Sequence, residues 1–476
     1  MKQPLSLLPI FLDGEDESQR QGVSEIYNSY VDEFGAWRGA PGLSEAFDLG
    51  INGSVQTFYW QEKKYLIMIC NSRMFYADST SATPTEITLG PVTIPNSPKI
   101  VFSGTAYRLF FVFGGQVATW LPGSSAAYVS VGTPPASATH VAFLDGYVIA
   151  NDTATNSYYF ATPSTTLTTD EPTWAAGDTA QGLPDALTAV VVEWRDMLLM
   201  GPRSVEMWYD AGTAAPASPF ARREGAFIQR GISAPYSICG ANNTWYWLDH
   251  ERKVIQLQGV TPTVISGPID HELRKIDDVS NAFGSSFSVK GRNWYVLVIP
   301  STGKTFAYEF VTRQWAEWNE WVPSSLAWSP WLANSVSFST DWNRVYVGSY
   351  KPDGKVYVVD TDYYNYGSKP IRRVLRTAFI DHGTNNLKRC NRVQVRIKSG
   401  QYVAAGEPVF SYRYRSDGDN WVPFENIELG TTGETDFVYD LRNLGMYRAR
   451  QWEFVFASPV DLVVQAIEED VEPMLS

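Results

Sequence analysis

Asn293-Trp294-Tyr295-Val296-Leu297-Val298-Ile299, a polar break from Pro300 to Lys304, then Thr305-Phe306-Ala307-Tyr308-Glu309-Phe310: this stretch decides the fold. β-branched and aromatic residues fill both runs, and Pro, Ser and Gly separate them, which is the chemistry of a strand, a turn and a returning strand. The same unit occurs six more times. Lys64 to Ile69 closes on Met74 to Tyr76, Arg108 to Phe113 on Val117 to Trp120, and Gly146 to Ala150 on Tyr158 to Phe160. Asp196 to Met200 closes on Val205 to Tyr209, Thr244 to Leu248 on Val254 to Leu257, and Arg344 to Val347 on Lys355 to Val359. Successive hairpins lie roughly 40 to 50 residues apart, the period of propeller blades with about four strands each. A lone blade cannot bury both its faces, whereas blades in a ring bury them on their neighbours and leave only short edges. The sequence therefore predicts an all-β chain with a β-propeller of six or seven blades over residues 51–365. WD and kelch signatures are missing, so the blade type stays open.

Outward from the repeats the pattern changes. Residues 1–50 are irregular and are expected to wrap or close the propeller. Beyond Tyr366 come strand-like runs at Arg372 to Ile380, Arg392 to Lys398, Val409 to Arg415, Gln451 to Phe456 and Val460 to Ile467. About six strands in about 110 residues predict a C-terminal β-sandwich-like domain, 366–476. Helical patterning is confined to Ser18 to Val31 and Asp270 to Asp277.

Hydrophobic residues at 44% can build a real core, and charged residues at 19% argue against disorder. A net charge of −13 lacks the basic footprint of a sequence-independent DNA binder. The charge is uneven. Lys369 to Lys398 holds nine Lys or Arg and one acid, Asp381, a net +8, which leaves −21 on the rest. Cys70, Cys239 and Cys390 are far apart and odd in number, and read as buried free thiols of a protein folded in a reducing cytoplasm. The apolar run Leu5 to Leu12 is too short for a signal core, and no run is long enough to span a membrane.

Chemistry-bearing patterns are scarce. No P-loop, nucleophile elbow or dinucleotide glycine pattern occurs, and Gly114-Gly115 reads as a hairpin turn. His140, His250, His271 and His382 have no partner pattern. No cofactor and no metal are expected. The acids Asp277-Asp278 and Glu468-Glu469-Asp470 read as solvated charge, because neighbours on a strand face opposite ways. Ser416-Asp417-Gly418-Asp419-Asn420-Trp421 resembles part of the Asp-box of sialidase-like glycosidases. It departs from that pattern because the Ser adjoins the Asp, and it stands alone, so a tight turn beside a packed Trp is the favoured reading.

Two stretches are candidates for contact. In the basic one, Arg372, Arg373, Arg376, Lys388, Arg389, Arg392, Arg396 and Lys398 recur within expected strands, and alternation puts Arg392, Gln394, Arg396 and Lys398 on one side. Docking to an acidic partner or to further copies ranks ahead of a solvated face, and both ahead of DNA contact, since no aromatic residues interleave for bases. In the Trp-rich one, Trp315, Trp318, Trp321 and Trp328 read as blade packing or subunit contact ahead of a sugar platform.

The order of several pieces resembles the packaged-DNA stabilisation proteins of short-tailed phages, also called tail hub or nozzle proteins. The pieces are Tyr27-Asn28 before Pro41-Gly42-Leu43, Glu193-Trp194-Arg195-Asp196, Ser204 to Tyr209, Ile228 to Ile232, Trp245 to Leu248, Trp294 to Ile299, Ser416-Asp417-Gly418, Tyr447-Arg448 and Trp452 to Phe456. The resemblance implies a virion protein, not an enzyme, working as a homo-oligomeric ring, usually of six. That ring would sit below the portal and its adaptor, retain packaged genomic DNA, pass it without sequence-specific binding and carry fibres, spikes or a plug. An acidic wall fits such a conduit, because like charge lets DNA slide. The alternatives are a propeller glycosidase or glycan-binding receptor-recognition protein, which would show convergent carboxylates and repeated Asp-boxes, and a cellular propeller scaffold.

Overall fold

The structure is a computed structural model. It describes residues 2–4 and 25–474 apart from 81–82, 90–92, 95–98, 124–126, 130–135, 163–173, 181, 184, 194, 214–216, 400–407 and 430–435. The apolar run from Leu5 to Leu12, the beginning of the helical pattern from Ser18, and Trp194 lie outside the described residues.

Each of the seven hairpins read from the sequence is the middle pair of a propeller blade. In blade 1, Val55–Trp60, Tyr65–Cys70, Arg73–Ala77 and Thr85–Ile87 pair antiparallel in chain order. Blades 2 to 5 repeat this arrangement, starting at Val101–Gly104, Val141–Leu144, Ala189–Glu193 and Cys239–Ala241. Blade 6 consists of Phe283–Val289, Arg292–Ile299, Lys304–Glu309 and Gln314–Glu317. First strands touch one another around the ring, so they line the axis. Gly114 and Gly115, both at positive φ (53° and 85°), form the tight turn between Leu109–Phe113 and Gln116–Trp120.

Blade 7 is assembled from both ends of the chain. Ala333–Ser339, Arg344–Ser349 and Lys355–Asp360 supply three strands, and Gly42–Asp48 pairs antiparallel with Lys355–Asp360 as the fourth. Backbone hydrogen bonds thus close the ring without a covalent link. Gly42 is required there: a Cβ would come within 1.8 Å of the Tyr363 carbonyl oxygen.

Earlier residues do something the sequence did not signal. Glu25–Tyr27 lies parallel to Gln314–Glu317 of blade 6 and antiparallel to Arg373–Arg376, so the blade 6 sheet runs on through Arg450–Phe456, Val409–Ser416 and Glu425–Glu428. Ser29–Val31 and Trp37–Gly39 join the other C-terminal sheet, beside Leu462–Pro473 and Lys388–Ser399. Two strands therefore occupy 25–31, where the sequence suggested helix. Each of their residues is paired across a sheet, and pairing overrides local propensity. The other helical pattern does form, as a short helix at Asp270–Arg274.

The two C-terminal sheets form the β-sandwich, and one continuous core joins it to the propeller. Trp294, Trp318 and Val345 pack in the same cluster as Trp37, Leu43, Trp452 and Val464. Burial of this size is the main favourable term holding the elements together.

Candidate functional site

Where the innermost strands begin, two side chains reach blades that are not their neighbours. Lys99 precedes the first strand of blade 2, yet its Nζ donates to the Asn334 carbonyl and to Asn334 Oδ1, both at 2.8 Å, in blade 7. It also sits 3.4 Å from the centroid of the Phe283 ring in blade 6. His140 of blade 3 stacks on Tyr236, ahead of blade 5, with ring centroids 5.6 Å apart. Both contacts skip at least one blade. Burial pushes the Lys99 ammonium down to about 7 and the His140 imidazole down to about 4. The tunnel mouth thus holds side chains that resist charging.

The basic stretch splits on folding. Arg373 and Lys388 are both 1% exposed. Lys388 Nζ donates to the carbonyls of Thr384 (2.7 Å) and Asn386 (2.9 Å). Arg372 lies over the Trp321 ring at 4.5 Å. Arg376 joins a cross-strand row, Glu25–Arg376–Glu453–Arg413, with contacts of 2.5, 2.5 and 2.6 Å across four adjacent strands. Glu453 is only 2% exposed, so its two arginines supply its counter-charge.

Arg392, Gln394, Arg396 and Lys398 share a face as the alternation predicted, with Arg396 and Lys398 exposed. Acids on the next strands flank that row. Asp440 sits 3.4 Å from Arg392 and opposite Gln394, Asp436 is opposite Lys398, and Glu468 and Asp470 pair on the other side. The charge block in the sequence is therefore largely offset in space. Of the eight candidate cations, Arg389, Arg396 and Lys398 face solvent.

Trp315 and Trp318 are buried core residues (1% and 0% exposed). Trp321 and Trp328 face each other across a small hairpin, Asn319–Val322 with Ala327–Pro330, and are half-buried. Their rings lie 5.0 Å apart, Trp328 stacks on Tyr27 at 4.8 Å, and the hairpin tip presents Leu326 to solvent. The Ser416 to Trp421 segment is a turn with positive φ at Asp417 and Gly418. Asp417 accepts hydrogen bonds from the Arg448 and Ala449 backbone N–H groups, and Trp421 stacks under Arg413 and Arg415. Packing and turn chemistry account for the motif.

One acid departs from its sequence reading. Glu468 and Asp470 are half-buried, but Glu469 is fully buried. Tyr447 donates to it at 2.7 Å, Cys390 at 3.3 Å, and His382 Nε2 lies 3.1 Å away. The same strand alternation that separates the three acids turns the middle one into the sandwich core. Burial first, then the Glu469 charge, pushes the Cys390 thiol up to about 12, which leaves no nucleophilic thiolate. Of the other cysteines, Cys70 is buried and Cys239 half-buried, and none of the three is in a disulfide. Among the described residues no group of three or more His, Cys, Asp or Glu side chains is placed to hold a metal, and no helix is long and apolar enough to cross a membrane.

Sequence reasoning missed Asn28 as a hub. Its side chain is 0% exposed and at positive φ (52°). Nδ2 donates to the carbonyls of Asn319 (2.7 Å) and Arg372 (2.9 Å), while Oδ1 accepts from the Asn319 N–H (2.8 Å) and the Tyr366 hydroxyl (3.2 Å). It ties the N-terminal strands to blade 6 and to the entry of the sandwich. An Asn in a Tyr-Asn-Ser context carries no local signal of such a role.

The described residues thus form a seven-bladed propeller fused to a β-sandwich. The family model described as bacteriophage P22 Gp10, beta-propeller, matches residues 25–364. The chain belongs to this family and is a phage structural protein. No curated protein matches it. Among solved structures, it is similar to the extracellular domain of the one-component system BT4673 from B. thetaiotaomicron, with 10% identity and a TM-score of 0.46. That alignment covers 88% of this chain and 60% of that one, so the chain spans under two thirds of the other's length. It is also similar to the N-terminal domain of Nup159, with 10% identity, a TM-score of 0.40, and coverage of 71% of this chain and 99% of that one.

Proposed function

We propose that the chain is a subunit of the nozzle or hub of a short phage tail. Copies, six by expectation, form a ring around the DNA channel below the portal-adaptor, retain packaged DNA and carry fibres, spikes or a plug. It works in the virion as a scaffold and catalyses no reaction. The observation that carries this reading is the family match over 25–364. Two features support it. A propeller axis lined by adjoining first strands, with Lys99 and His140 reaching between blades there, is too narrow for a duplex, so DNA would pass between subunits and not through one. The acidic balance of −13 suits a wall along which DNA slides. Arg389, Arg396 and Lys398 are the exposed cations offered to an acidic neighbour, and the Trp321–Trp328 hairpin is the apolar contact between copies.

Native mass and negative-stain imaging, on the protein alone and with its tail partners, test the reading. The expected result is a ring around a central channel on tail particles, whatever the state of the isolated protein. A chain that stays monomeric with the adaptor present refutes it.

A further inference from the structure

Where the N-terminal strands, blades 6 and 7 and the sandwich converge lies a cavity of about 200 Å³. Its lining includes Tyr30, Gly39, Lys290, Tyr364, Arg373 and Asp461. The cations at its edge are mostly neutralised: Arg38 by Asp32 at 2.5 Å, Lys290 by Asp362 at 2.8 Å, Arg292 by Glu33 at 2.5 Å. Arg373 differs. It is 1% exposed, its Nη1 donates to the Val460 carbonyl (3.2 Å) and weakly to that of Ser458 (3.4 Å), and its buried Nε has no partner. No hydrogen bond of its guanidinium to a carboxylate is found among the described residues; the charge of Asp461, in the same cavity, acts on it without such a bond. The Tyr364 and Phe456 rings flank the guanidinium at 5.7 and 5.6 Å. Gly39 makes room for it, since a Cβ there would meet Nε at 2.3 Å. A guanidinium carries five N–H donors and no acceptor, and burying one with an N–H unpartnered and no hydrogen-bonded counter-ion is costly.

We propose that this cavity is an oxyanion pocket anchored by Arg373, which takes one carboxylate or phosphate group. Planar N–H donors match such a group, and a cavity of this size admits it but no large ligand. Asp461 lines the same cavity and lowers its affinity, because its charge opposes an entering anion. Bound there, the anion bridges propeller and sandwich at the place where the N-terminal, propeller and C-terminal strands meet. The proposal is independent of the ring reading.

The test is calorimetric titration and thermal melting of the full chain with inorganic phosphate and with acetate, against chloride at equal ionic strength. Saturable binding is expected, with a melting shift that chloride does not give. Asp461→Asn, at an exposed position, should tighten binding by about fivefold by removing the opposing charge. Arg373→Met should abolish it. Should that variant fail to fold, the Asp461→Asn comparison stands alone. Binding of phosphate alone points to a free inorganic anion and binding of acetate alone to a protein carboxylate, and either supports the pocket. No saturable binding of either anion, or binding indifferent to Asp461→Asn, overturns it.

Discussion

Blades 1 to 5 and the fused region, which runs from blade 6 through the sandwich, are made of the same strand chemistry but held together differently. In blades 1 to 5 each sheet is four strands consecutive in sequence, and each core lies between neighbouring blades. In the fused region a nine-stranded sheet draws on both ends of the chain, and a single core unites it with the sandwich. The first arrangement is local and repetitive, so damage should stay near its blade. The second depends on pairings hundreds of residues apart, so one lost contact should loosen several elements together.

The strongest way to break this contrast compares two buried asparagines. Asn28 makes four side-chain hydrogen bonds in the fused region. Asn151 makes four in blade 3, three to the Thr139 and His140 N–H groups and the Thr139 hydroxyl at the blade's entry and one to the Leu187 carbonyl ahead of blade 4. Asn28→Ala should cost about 4 kcal/mol, because it orphans buried groups and leaves Ala at positive φ. It should also speed amide exchange in the sandwich strands. Asn151→Ala should leave sandwich exchange unchanged, and equal loosening there by both variants would erase the distinction.

The central row of charges gives the next effect. Glu453→Gln should cost about 3 kcal/mol by chemical denaturation, since Arg376 and Arg413 lose their shared counter-ion.

Acidification probes both regions in opposite senses. His140, by the axis, has a folded value depressed to about 4 by burial. The unfolded chain takes up the proton first, so stability falls as pH drops from about 6.5 through 4, by about 3 kcal/mol in all. Glu317, in the fused sheet, is raised to about 6, chiefly by burial. Its folded form holds a proton longer, so this group's contribution is full below about 4.5 and is lost as pH rises through 6, by about 2 kcal/mol. Melting curves of His140→Gln and Glu317→Gln across pH 4 to 7 should separate the two limbs. A wild-type curve unaltered by either substitution would contradict both assignments.

The smallest expected effect is at the surface of blade 1. Arg73 and Glu86 form a bidentate pair, but both are nearly half exposed. Glu86→Ala should change stability by less than about 0.5 kcal/mol, a control for the Glu453 result.

How much was legible follows the same division. The seven hairpins were visible because strand, turn and strand lie next to each other, and Val, Tyr, Trp and Gly reveal them at short range. The roles of Glu25 to Gly39 were not, because Glu25–Tyr27 and Trp37–Gly39 pair with segments hundreds of residues away, which leaves no local mark. The basic stretch shows the limit most clearly. Its sequence reads as a positive block, yet Arg376 finds Glu25 and Glu453, Lys369 finds Glu320, and Arg392 finds Asp440, all acids from outside the block.

The sequence by itself determined the fold class, the blade period, the alternation that puts Arg392, Arg396 and Lys398 on one face, and the resemblance to a phage tail family. These depend on chemistry within a few residues and on repetition. Only the tertiary structure decided which end strands complete blade 7, which charges are neutralised, that Glu469 is buried, and that Arg373 lines a cavity with its Nε unpartnered. Those outcomes depend on which distant segments meet, and burial there changes what a charge costs far more than its identity in the sequence does.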